Sequence, residues 1–234
     1  MQRENCLLYI GTRLIQNIDF SIEANQDDFV KNIEYITITP SQKARRIQPL
    51  SDEERKLLRG ALGKLNWLSG MTRPEISFYV CQLSTLINTA TISDLIDVNK
   101  VIKFAKNNPD YIKFSRLNIE GLSIKVFSNA SWNNLPDGGS QGGQIVLLGD
   151  NRGYVSPIYW SSTRLRRIAR SSMAAESLSV MDGCDSAQFI SKLLQEILRL
   201  KNEIPIIAVT DSNDLFSTSS TTKLVADRRL RVEV

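Results

Sequence analysis

The feature that most limits the fold is the order of hydrophobic periods after Tyr111. Three strand-like runs come first, at residues 124–127, 145–148 and 155–160. A helical pattern then covers 173–200, with Leu178, Met181, Phe189, Leu193, Leu194 and Leu198 on its apolar side. Gly183 inside it predicts a kink or break. Residues 205–209 are short and fully apolar, which reads as a buried parallel strand. A further helical piece follows Asp211. Three strands, a helix, a strand and a helix describe an α/β domain.

The first half has another rhythm. Residues 7–15 are mostly apolar and lead through Asn17-Ile18-Asp19 into Phe20-Ser21-Ile22, so the chain opens on a hairpin. Asn25 is placed to cap a helix with Asp27 and Asp28 in its first turn. Residues 41–49 hold Lys43, Arg45 and Arg46 and read as a basic linker. Ser51-Asp52-Glu53-Glu54 is a capping box that opens a helix carrying Leu57, Leu58, Ala61, Leu62, Leu65 and Leu68 on one face. Pro74 suits the first turn of the next helix, and Ser93 is placed to cap a third that ends near Asn107. Asn133 to Gly143 form a Gly-rich connection without the G-K-[ST] of a P-loop.

Composition removes whole classes of chemistry. The chain has no histidine, which excludes Ser-His-Asp and Cys-His mechanisms and histidine-ligated zinc. Cys6, Cys81 and Cys184 are widely spaced, which argues against a disulfide framework and for a reducing, intracellular setting. No run approaches the roughly 18 apolar residues of a membrane span, so a soluble protein without a membrane partner is expected. Apolar residues at 42% and charged residues at 23% are a globular balance. Lysine and arginine exceed the acids by 29 to 25, a mild basic bias compatible with nucleic acid.

Carboxylates at element ends are then the natural seat of chemistry, and oxygen ligands of that kind suit divalent cations. Three positions qualify: Asn129 after the first strand, Glu176 in the first turn of the long helix, and Asp211 after the apolar strand. Each has a plainer reading. Glu176 also suits a helix N-terminus, Asp211 a helix cap and Asn129 a turn. Arg164, Arg166, Arg167 and Arg170 form a basic run, either a solvated surface or a set of phosphate contacts. Trp67, Trp132 and Trp160 are expected in the core, and the cysteines as buried, passive residues.

Several ordered motifs add a resemblance. Phe127-Ser128-Asn129-Ala130-Ser131-Trp132, Tyr159-Trp160-Ser161-Ser162, Ser171-Ser172-Met173-Ala174-Ala175-Glu176 and Val209-Thr210-Asp211-Ser212-Asn213 resemble the ribonuclease H domain of copia-type retrotransposon Pol polyproteins. The pattern there runs S-D-A-D-W, I-S-W-S-S, S-S-T-E-A-E and C-D-N. Leu65-Asn66-Trp67-Leu68 with Thr72-Arg73-Pro74-Glu75-Ile76-Ser77-Phe78 resembles the segment that precedes it, and Leu8-Tyr9-Ile10-Gly11 resembles the end of the reverse transcriptase.

The resemblance implies a ribonuclease H-like mixed sheet with flanking helices over 116–234, preceded by a mainly helical connection over 41–115. Residues 1–40 would be the end of the reverse transcriptase. It implies hydrolysis of RNA in RNA–DNA hybrids with two Mg²⁺ or Mn²⁺ ions. Glu176 and Asp211 match the second and third ligands. The fourth falls on Glu233, with Asp227 as its rival, and Val234 follows so closely that the domain is expected to be cut short. The first ligand falls on Asn129, a neutral amide where two cations need negative charge. Weak or absent catalysis is therefore expected. The alternative is a non-catalytic nucleic-acid-binding or structural remnant that uses Arg164, Arg166, Arg167 and Arg170. No Y-x-D-D pair occurs, so reverse transcription by this chain is not expected.

Overall fold

The computed structural model describes residues 6–219 except Pro136. The chain divides into two compact units, Met1–Phe114 and Ser115–Val234.

The first unit takes in both the 1–40 and the 41–115 segments. Its sheet is four-stranded, in the order β1 (Cys6–Tyr9), β2 (Thr12–Gln16), β3 (Ile22–Asn25) and β4 (Ile112–Phe114), all antiparallel. Residues 7–15 are thus two strands rather than one. The chain reverses at Ile10-Gly11, where Gly11 takes a left-handed φ of 74° that costs glycine little. Five helices follow the first three strands: α1 (Asp27–Lys31), α2 (Pro40–Ala44), α3 (Asp52–Met71), α4 (Ser77–Thr85) and α5 (Ile92–Asn107).

Capping explains most of these boundaries. The Ser51 hydroxyl accepts from the Glu54 N–H at 3.3 Å, and the Glu54 carboxylate accepts from the Ser51 N–H at 2.8 Å. Thr39 and Gln42 make the same reciprocal pair, which turns part of the expected linker into α2. Asn25 stays in β3, and Gln26 stands at the start of α1 without a side-chain cap. Asp94 draws the start of α5 back to Thr91, whose N–H donates to it at 2.7 Å, so Ser93 is not the cap. Leu58, Leu65, Leu68, Ile76, Ile92, Leu95, Val98 and Ile102 form the core beneath. Arg73 is buried at 3% exposure, and its guanidinium donates to the Ala105 carbonyl at the end of α5 at 3.1 Å.

The second unit has a mixed sheet in the order β7 (Val155–Arg164), β6 (Gln141–Gly149), β5 (Ser123–Ser131) and β8 (Ile206–Val209). The first three strands form an antiparallel meander, and β8 lies parallel to β5. Between β7 and β8 runs α6 (Ser172–Leu198), and α7 (Asn213–Ser219) follows β8. This is the ribonuclease H-like order that the motifs imply.

Alternation along β5 buries Ile124, Val126 and Ser128, on the side where α6 packs, and exposes Phe127 and Asn129. No break occurs at Gly183. A Cβ there would stand 2.8 Å from Val126 Cγ1, so the glycine lets the helix lie close to the sheet. The β8 strand is parallel, as its composition predicts, but not buried. Among the described residues it pairs only with β5, and Ile207, Ala208 and Val209 are exposed. Cys6 is exposed, whereas Cys81 and Cys184 are half-buried. No described helix is long and apolar enough to cross a membrane.

Candidate functional site

The parallel pairing of β5 and β8 sets the geometry. Phe127 stands opposite Val209. Asn129 comes two residues further along β5, and Asp211 two residues past Val209, just beyond the end of β8, so both reach the same end of the sheet. They line one cavity of about 500 Å³ with Phe127, Ser128, Gly143, Gln144, Ile145, Val209 and Thr210. Asn129 is held from behind. The Ser179 hydroxyl on α6 is buried and donates to the Asn129 carbonyl at 3.0 Å. No sequence motif marks Ser179; only its position one turn after Glu176, on the face that meets the sheet, would single it out.

Glu176 arrives from α6, one residue past the helix's first turn rather than within it. Its Oε2 accepts the Ala130 N–H at 3.1 Å, which fixes it beside the strand that carries Asn129. Partial burial pushes the Glu176 carboxyl above its ordinary value. The Ala130 N–H opposes that shift, and the negative charge of Asp211 adds to it. The structure thus brings Asn129, Glu176 and Asp211 together. Glu233 and Asp227 lie outside the described residues.

Two carboxylates and one amide are a poor match for a pair of divalent cations. Two dications held close together repel, and only ligand charge offsets that repulsion. Among the described residues no group of three or more His, Cys, Asp or Glu comes together to hold a metal. The described donors therefore do not fit two Mg²⁺ or Mn²⁺ ions.

The arginine run lies in the connection between β7 and α6. Arg164 ends β7 and pairs with Asp137 on the β5–β6 connection. Leu165 anchors the segment: it is buried, and its N–H donates to the Ser140 carbonyl at 2.9 Å. Arg166, Arg167 and Arg170 are exposed. A second cavity of about 470 Å³ sets Arg164, Arg166 and Arg167 against Asp182 and Asp185 of α6. The connection reaches the same end of the sheet as Asn129, because the Trp132 indole N–H donates to the Ala169 carbonyl at 3.0 Å. Trp132 and Trp67 are not core: they are exposed, Trp132 by 48% just past the end of β5, and Trp160 is half-buried.

The fold and site therefore define an α/β domain with ribonuclease H-like topology and a charge-poor carboxylate cluster at one sheet end. Over 140 residues the chain is 33% identical to the retrovirus-related Pol polyprotein from transposon RE1 of Arabidopsis thaliana, covering 59% of this chain and 9% of that protein. The Pol polyprotein from transposon RE2 of the same plant is 32% identical over 150 residues, 64% of this chain and 10% of that protein. The chain is thus similar to retrotransposon Pol polyproteins over about 60% of its residues and spans about a tenth of their length. No family profile matches it. The foamy viral protease-reverse transcriptase, solved in complex with an RNA/DNA hybrid, superposes with a TM-score of 0.46 at 14% identity, over 95% of this chain and 31% of that one.

Proposed function

We propose that the chain is a remnant of a retrotransposon Pol protein whose ribonuclease H-like unit binds RNA–DNA hybrids and cleaves their RNA strand weakly or not at all. The observation that carries this reading is Asn129. It stands at the sheet end beside Glu176 and Asp211, where a third carboxylate would complete an anionic site. Binding needs no such charge. Exposed Arg166, Arg167 and Arg170 beside the site suit the phosphates of a hybrid, which is recognised by backbone shape and 2′-hydroxyls. Any Mg²⁺ or Mn²⁺ would be held weakly, by Glu176 and Asp211.

The test is cleavage of a labelled hybrid in Mg²⁺ or Mn²⁺. The native chain should show little or no product. Asn129→Asp should raise cleavage by about tenfold or more, on the scale of restoring one strong electrostatic interaction at an active site. Glu176→Gln in that background should abolish the gain. Robust cleavage by the native chain, lost in Glu176→Gln, would overturn the inactive reading.

A further inference from the structure

Trp132 is an unusual surface residue. Its ring is 48% exposed, yet its N–H is committed to the Ala169 carbonyl, so the indole is held in one orientation. That carbonyl belongs to the residue between Ile168, 93% exposed, and the exposed Arg170. Arg166 and Arg167 precede them on the same connection. A pinned aromatic face whose anchor, Ala169, is followed directly by the exposed Arg170 is poorly suited to an apolar protein partner, whose docking would have to desolvate that guanidinium. It is well suited to a polyanion with flat, unpaired bases. Phosphates pair with guanidinium groups, and a base of any sequence stacks on an indole.

We infer that Trp132, with Ile168 and Arg170, forms a stacking platform for single-stranded nucleic acid at the edge of the candidate site. The inference rests on the nucleic-acid reading proposed above and adds a different substrate form, an unpaired strand. In a continuous hybrid the bases stack on one another and are not offered to the ring. Where a strand frays or overhangs, a base is free to leave its neighbours for Trp132, while Arg170 holds the adjoining phosphate. The platform is independent of the carboxylates, so it works without metal.

Fluorescence anisotropy of the full chain in EDTA tests this with two probes, a labelled oligothymidylate of about 12 nucleotides, within the span of one single-strand site, and a blunt RNA–DNA hybrid. Trp132→Ala should lose about tenfold in affinity for the single strand, the scale of one base–aromatic stack. Its affinity for the hybrid should stay within about twofold, since stacked bases make no use of the ring. Trp132→Phe, which keeps a π face, should stay near the native affinity for the single strand. If Trp132→Ala fails to fold, Trp132→Leu keeps the apolar bulk without the π face and should show the same selective loss. Hybrid binding with no single-strand binding, or single-strand binding indifferent to Trp132→Ala and Trp132→Leu, overturns the platform alone. Failure of the native chain to bind either probe overturns the nucleic-acid reading and the platform with it.

Discussion

At the scale of single residues, the site turns on one atom: Asn129 offers an amide nitrogen where an aspartate would offer a second anionic oxygen. Glu176 gives this site a pH dependence of known sign. Its folded-state carboxyl titrates above the ordinary value because it is half-buried and faces Asp211. A carboxyl raised in this way favours the fold below its unfolded value, and that contribution is lost as pH rises through the folded value. Urea unfolding of the native chain and Glu176→Gln, compared from about pH 4 to pH 8 on either side of an ordinary glutamate, should show the native chain losing stability relative to the variant as pH rises. Cleavage by Asn129→Asp should climb over the same window, because only an ionised Glu176 would hold a metal there. The motif around Glu176 was legible in the chain, as was Asp211 after its apolar strand. The Ala130 N–H that holds Glu176 was not, because it comes from a strand 46 residues away in sequence.

Elements tell a similar story about close approach. Gly183 reads as a helix breaker by propensity, yet α6 continues through it for 27 residues. Helix propensity is a local quantity, and the sheet beneath decides the outcome. Gly183→Ala gains about 1 kcal/mol of helix propensity but forces a methyl against Val126, an overpacking that costs about 1–3 kcal/mol. The net should be a loss of roughly 1 kcal/mol by urea unfolding. Gly63 in α3 is the contrast: it is exposed, and a Cβ there meets nothing within 4 Å. Gly63→Ala should stabilise by about 0.5–1 kcal/mol. The Ser51–Glu54 capping box was legible, since those residues need only local spacing to find each other, whereas the caps expected at Asn25 and Ser93 were not the ones used. The exposure of β8 was not legible, because an apolar run carries no mark of whether one or two strands will flank it.

For the whole molecule, the charge that matters most lies in the connection between β7 and α6. Arg164 is tied to Asp137, and that exposed pair contributes little stability. Arg166, Arg167 and Arg170 are exposed on the same connection, the first two lining a cavity with Asp182 and Asp185. Changing all three to Gln should weaken hybrid binding and lower the steepness of its logarithmic salt dependence by roughly 2–3, about one for each phosphate no longer neutralised. An unchanged slope would leave the run as solvated surface. The sequence by itself determined the kind and order of the elements in the second unit, the histidine-free chemistry and the neutral residue beside two carboxylates, because periodicity and residue type are local. Only the tertiary structure decided that Asn129, Glu176 and Asp211 share one sheet end, that Gly183 serves packing, and that Trp132 faces solvent. Those facts depend on strand register and on which surface each element covers, and both arise from pairing between segments far apart in the chain.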